Sequence, residues 1–246
     1  MFRLFIFNLL FLCSLQINAQ NQVSLADQTF FDIHVRPVGQ RLGDRTSILT
    51  TVVGAFSVGL AEPQDDQVRS EWKNHQKMDK NTAHIGDLMG TGGVAVVSSA
   101  LQYMFDDRDY VYQSHLRGLA YGGLAIYSLK TAFARPRPGN SDNHQSFPSG
   151  HSSIAFMSAT HLAYAYGWKA AVVAYPVAAF VGASRLADDV HWYSDTIGGA
   201  FLGFIIGRAT FYDSEHLQMQ SQSEPSWNLL PIISEKQQGF VFNVSF

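Results

Sequence analysis

The chain of 246 residues reads as an all-α protein, a bundle of about six helices followed by a small C-terminal β-hairpin. Three observations predict it. Six long stretches carry almost no charge, and no alternating strand pattern occurs before residue 226. Charged residues make up 15% of the chain, well below the usual quarter, while hydrophobic residues make up 46%. The uncharged stretches are also rich in Ala, Gly, Ser and Thr, the small residues that let helices pack closely.

The elements follow in order. Residues 1–19 read as a secretory signal peptide: Arg3, an apolar run over 4–15, and the small Ala19 before Gln20. A retained anchor helix is the alternative. Residues 20–45 form a polar N-terminal segment, with Phe30, Phe31 and Ile33 as packing points. The helical domain is expected over 46–212, with apolar segments at 46–61, 88–105, 117–133, 152–166, 168–184 and 196–212. Residues 62–80 are strongly charged and read as a loop or exposed helix. Residues 213–246 hold a polar linker, then segments 229–234 and 239–246. In the second, Phe240, Phe242, Val244 and Phe246 alternate with Val241, Asn243 and Ser245, which predicts the hairpin.

The apolar segments fall just short of the ~20 residues of a membrane span. They suit a soluble or a membrane bundle, and the reading leans towards a periplasmic or membrane-peripheral domain. Net charge is −3, or −4 once Arg3 leaves with the signal, and no basic run occurs. Nucleic acid is therefore not an expected partner. The only cysteine, Cys13, lies inside the signal, so a thiol nucleophile is excluded from the mature chain.

Three clusters carry chemistry. The first runs from Lys130 to Arg137 and Pro138, the second is Pro148-Ser149-Gly150-His151, and the third is Ser184-Arg185, His191 and Asp195. His191 and Asp195 are four apart, and on a helix they would share one face with Gly199, Gly203 and Gly207. A carboxylate there can orient the imidazole as a nucleophile, although such a pair alone is more often structural. Arg185 and Lys130 end apolar segments, where a charge is costly to bury without an anion. Arg137 follows Lys130 by seven residues, read as two helical turns. Guanidinium forks match phosphate oxygens. Ser149 can cap a helix whose first N–H groups attract an anion, and His151 would project from that first turn to donate a proton.

Lesser features have plainer readings. Gly90-Thr91-Gly92-Gly93-Val94-Ala95 fits a dinucleotide-loop pattern, but without a βαβ unit it reads as close helix packing. His161 reads as a core or surface histidine. His34, His75, His84, His115, His144 and His216 show no metal-ligand spacing. Trp192 and Tyr193, beside His191, read as helix packing.

The set Lys130-x6-Arg137-Pro138, Pro148-Ser149-Gly150-His151 and Ser184-Arg185-x5-His191-x3-Asp195 resembles the three-part signature of the type 2 phosphatidic acid phosphatase superfamily. That superfamily also holds bacterial acid phosphatases and vanadium haloperoxidases. The resemblance covers residues 130–195, and the segment pattern extends it to about 46–212. It implies an active site at one end of the bundle. Lys130, Arg137 and Arg185 would bind phosphoryl oxygens with Ser149 and the Gly150 amide. His191 would attack phosphorus, Asp195 would orient it, and His151 would protonate the leaving group. Arg135 would be accessory. No metal or other cofactor is implied, and vanadate would act as an inhibitor.

The implied function is a metal-independent phosphatase outside the cytoplasm, exported to the periplasm or membrane-associated. Its partner would be a phosphorylated lipid or small phosphate ester, at a membrane surface. Undecaprenyl diphosphate, phosphatidic acid, phosphatidylglycerophosphate, lipid A and soluble monoesters are the candidates. Two alternatives are a haloperoxidase with vanadate as cofactor on His191, and a non-catalytic lipid-phosphate-binding protein.

Overall fold

A computed structural model describes Phe31, residues 34–212, and the backbone of two strands, Ser226–Ile233 and Gln238–Ser245. The signal segment, Phe30, Ile33 and the linker at 214–225 lie outside the described residues. Helices dominate: α1 (Arg36–Leu42), α2 (Arg45–Ala61), α3 (Asp65–His75), α4 (Lys80–Gly90), α5 (Gly93–Phe105), α6 (Asp109–Phe133), α7 (Gly150–Tyr166), α8 (Trp168–Ala187) and α9 (Tyr193–Thr210). The backbone of β1 (Ser226–Ile233) pairs antiparallel with β2 (Gln238–Ser245).

Two compact units arise. One comprises Leu49–Phe211, and the other comprises the residues up to Ile48 with those from Tyr212 onward. In the latter, the Ser47 hydroxyl donates to the Arg41 carbonyl at 2.6 Å, and its N–H donates to Asp44 at 2.8 Å. This bond ties α1 to the start of α2.

Within Leu49–Phe211, α7 is central and packs against α6, α8 and α9. The helix stops are legible in the sequence. Asp79 caps α4 by accepting from the N–H groups of Asn81 and Thr82 at 3.0 and 3.1 Å. Gly167, at φ +78°, ends α7 and starts α8, a backbone state that glycine adopts without strain. The charged stretch at 62–80 becomes a 3₁₀ turn at Glu62–Gln64, helix α3 and the start of α4. Helix α6 begins at Asp109, two turns before the apolar pattern, because the charged 106–109 turn supplies its start.

The interior of this unit holds many small and polar side chains beside Val111, Met157, Val181 and Ile206, while much of its surface is large and apolar. Ser152, Ser153, Thr160, Ser184, Ser194, Thr210, Ala83 and Ala178 are buried. Phe56 on α2 is 67% exposed, Phe105 on α5 78%, and Trp168 on α8 73%, with Val52, Val53, Leu60, Val97, Leu101, Val172 and Val173 also exposed. Water-soluble domains show the opposite trend. By length and composition, Trp168–Ala187 suffices to cross a membrane, and Lys80–Gly90 with Gly93–Phe105 would also do so as one span bent by 52°.

Candidate active site

Glycines bring the three motifs together. A Cβ added to Gly199 would lie 2.7 Å from the Ser149 carbonyl oxygen, and one on Gly207 2.6 Å from that of Met157. One on Gly203 would run into the Ser153 carbonyl. This stripe seats α9 directly on α7, as the four-residue spacing predicts. Their first turns therefore meet, and the Ser149 N–H donates to the Asp195 carbonyl at 3.0 Å. Ser149 is the N-cap of α7, accepting from the Ser152 N–H at 3.4 Å. His151 follows in the first turn.

Two expectations need correction. His191 is not on a helix. It lies in the bend after α8, and α9 begins only at Tyr193. Asp195 is the third residue of α9 and accepts from the Trp192 N–H at 2.9 Å, a capping bond that requires His191 to precede the helix. Nor does Arg137 lie two helical turns beyond Lys130. Helix α6 ends at Phe133, Ala134 takes a left-handed φ of 43°, and Arg137 sits in the following loop. Pro136 and Pro138 explain the stop, since proline disfavours helix in the residue before it.

His191 is 5% exposed and Asp195 fully buried. Their Nδ1 and Oδ2 atoms are 3.6 Å apart, an ion-pair distance too long for a hydrogen bond. His191 Nδ1 is buried with no hydrogen-bond partner. Burial pushes the His191 imidazole below the ordinary histidine range, with Lys130 and Arg137 adding to the effect and Asp195 opposing it. The shift favours the neutral ring. Burial acts to raise the Asp195 carboxyl, but His191, Arg135 and Ser146 hold it below the usual range.

The cations surround this pair. The Lys130 ammonium, in the last turn of α6, donates to the Gln145 carbonyl at 2.5 Å. Burial, reinforced by Arg137, pushes it down to about 8. Arg137 has its Nε buried without a hydrogen-bond partner. Arg185, near the end of α8, is 3% exposed and donates to Asp87, to Ser184 Oγ at 3.1 Å and to the Ala83 carbonyl at 3.3 Å. Asp188 lies 2.9 Å from it. A Cβ on Gly150 would lie 4.0 Å from the Lys130 side chain, so the second motif faces the first. Among the described residues, no three His, Cys, Asp or Glu side chains converge as metal ligands.

Arg135, expected as an accessory residue, is a structural hub: it donates to Asp195 Oδ1 at 2.6 Å, to Ser194 Oγ at 2.7 Å and to Asp65 Oδ2 at 2.7 Å. The sequence reading missed Asp65, Ser146 and Asp87. Asp65 is 5% exposed and also accepts from the Ser194 N–H at 2.8 Å. Ser146 Oγ donates to Asp195 Oδ2 at 2.5 Å. Asp65 has no local signal, because it sits in a charged stretch among other acids. Asp87 on α4 meets His151 Nε2 at 3.1 Å and pairs with Arg185. It had a signal: a single carboxylate between Gly86 and Gly90 where an apolar segment begins.

The remaining histidines divide. His115 and His161 are fully buried and stacked, with ring centroids 4.3 Å apart. Trp192 is more than packing: its Nε1 donates to the Pro136 carbonyl at 2.9 Å, and the Arg69 and Arg135 guanidinium groups each lie 5.6 Å from its ring centre.

Comparison with known proteins agrees with this motif set. The model of the PAP2 superfamily matches residues 113–218, which contain all three motifs. A lipid A 1-phosphatase of Porphyromonas gingivalis is 37% identical over 102 residues, 40% of this chain. The match takes in 22% of that protein, so the chain spans about a fifth of its curated relative's length. Aquifex aeolicus LpxE superposes with a TM-score of 0.48 and 24% identity, over 55% of this chain and 88% of that one. A transmembrane PAP2 type phosphatidylglycerolphosphate phosphatase from Bacillus subtilis gives 0.49 and 17%, over 70% and 96%. The segment that carries the three motifs, residues 113–218, is thus similar to the PAP2 superfamily.

Proposed function

We propose that this protein is a metal-independent phosphatase that removes phosphate from a lipid-linked monoester or diphosphate through a phosphohistidine on His191. The observation that carries the reading is an unsatisfied, buried arginine donor near His191 inside one cationic cluster. Arg137 Nε and His191 Nδ1 are buried without partners, beside Lys130 and Arg185. A buried cationic donor without an acceptor is costly, and a phosphoryl group would satisfy it.

The proposed chemistry assigns each group one task. His191 Nδ1 faces Asp195, which leaves Nε2 for phosphorus. As the N–P bond forms, the bond from phosphorus to the leaving oxygen breaks, and that oxygen takes the proton of His151. Nδ1–H of the charged ring then closes on Asp195. Water attacks the phosphohistidine, gives its proton to His151, and phosphate departs as the P–N bond breaks. Lys130, Arg137, Arg185, Ser149 and the Gly150 amide hold the phosphoryl oxygens, supplying the transition-state stabilisation that a metal gives elsewhere. Vanadate would compete for the same cluster.

A lipid-linked substrate is supported by the inverted polarity of the helical unit, whose exposed Phe56, Phe105 and Trp168 suit a bilayer better than water. The activities named for the relatives point the same way. The reading includes export, an active site on the non-cytoplasmic face, six apolar helices as the catalytic bundle, and the hairpin as an appendage. A panel of lipid A, phosphatidic acid, phosphatidylglycerophosphate, undecaprenyl diphosphate and a soluble aryl phosphate, given to the purified full chain, tests it. Phosphate release from at least one lipid, inhibited by vanadate, is expected. Release from none would overturn the proposal.

A further inference from the structure

We propose that Asp87 is a positioning residue for the leaving-group proton: it holds His151 through Nε2, turns Nδ1 towards the leaving oxygen, and is itself fixed by Arg185. The inference rests on the phosphatase reading above and deepens it.

Three observations carry it. The Asp87 carboxylate lies 3.1 Å from His151 Nε2 and pairs with Arg185. Thus one side chain of α4 bridges the second and third motifs. The helix is also built to bring it there. A Cβ on Gly90 would lie 2.7 Å from the His151 side chain and 2.7 Å from that of Val181, and one on Gly86 would collide with Ser184. Glycines on both sides of Asp87 therefore let α4 close on α7 and α8 at the site itself. Finally, the electrostatics demand a carboxylate. Burial lowers the proton affinity of His151, and Arg185, His191 and Arg137 lower it further; Asp87 is the opposing charge. A general acid must hold its proton until the leaving oxygen needs it.

The role predicts dependence on the leaving group. An alkoxide leaving from a lipid phosphate needs a proton, whereas a nitrophenolate leaves readily without one. Asp87→Asn and Asp87→Glu, purified as full chains in detergent, would be assayed on a lipid phosphate monoester and on p-nitrophenyl phosphate, with thermal melting as a check on folding. For Asp87→Asn, the expected result is a fall in kcat on the lipid ester of about 100-fold. The loss on the nitrophenyl ester should be only a few-fold, and the alkaline limb of the lipid-ester pH profile should move to lower pH. Asp87→Glu should recover part of the lipid-ester rate. Equal losses on both substrates with an unmoved pH profile would overturn the role, as would wild-type kinetics in Asp87→Asn. A wild-type chain that hydrolyses neither ester fails the phosphatase reading instead, so the two failures are distinct.

Discussion

Two pairs of histidines lie in the same helical unit, and only one makes a candidate site. His115 and His161 stack in the interior, with His115 Nδ1 3.2 Å from Gln102 Oε1 and its Nε2 3.0 Å from Ser158 Oγ. Both nitrogens of His161 are without hydrogen-bond partners. Burial pushes His115 down to about 4 and His161 to about 2. The second pair, His191 and His151, is also shifted down by burial. A pKa displaced by burial is therefore shared, although His151 is only half-buried. What differs is the surroundings: carboxylates at Asp195 and Asp87, and cations at Lys130, Arg137 and Arg185. Depressed basicity alone marks packing. Depressed basicity inside an ordered set of opposite charges is what the proposed phosphoryl chemistry requires.

Substitutions can break this contrast. His191→Ala should have the largest effect, a loss of at least about 1000-fold in phosphate release with the melting temperature retained, since it removes the proposed nucleophile. Arg137→Ala should lower kcat/KM by about 100-fold, on the scale of one transition-state donor. Steady-state phosphate release measures both.

Arg135→Gln should act on stability before chemistry. It leaves Asp65 and Asp195 as buried carboxylates without their cation, at a cost of about 3–5 kcal/mol, read by denaturant unfolding. The acid limb of the kcat/KM profile sharpens the contrast further. In the proposed mechanism neutral His191 is the active form, and its pKa is lowered by burial. Activity should therefore persist as pH falls through the ordinary histidine range near 6.5 and decline only below it. An acid limb above that range would contradict a neutral, buried nucleophile. The smallest effect belongs to the stacked pair. His161→Leu removes two unsatisfied polar atoms, so stability should hold or rise and kcat should stay within about two-fold of wild type.

The sequence made some of this plain and hid the rest for physical reasons. The glycine stripe at Gly199, Gly203 and Gly207 was legible because helical spacing alone puts those residues on one face. The eight candidate residues were picked out by motif spacing, although His191 and Arg137 sit in irregular backbone where a helix was expected. Proline at 136 and 138, and the capping role of Asp195, shape those segments. Asp65 and Asp87 reach the site through tertiary packing of α3 and α4, at separations from Asp195 and His151 that no local pattern encodes. The exposed apolar surface was hidden too, since composition does not say which side of a helix faces inward.

The central claim is the covalent bond at His191. Rapid quenching of the full chain with a radiolabelled lipid phosphate should trap label on the protein, stable to base and lost in acid, in a peptide containing His191. The same label should be missing from His191→Ala. Turnover of the substrate without any label at His191, or label retained in His191→Ala, would contradict the account.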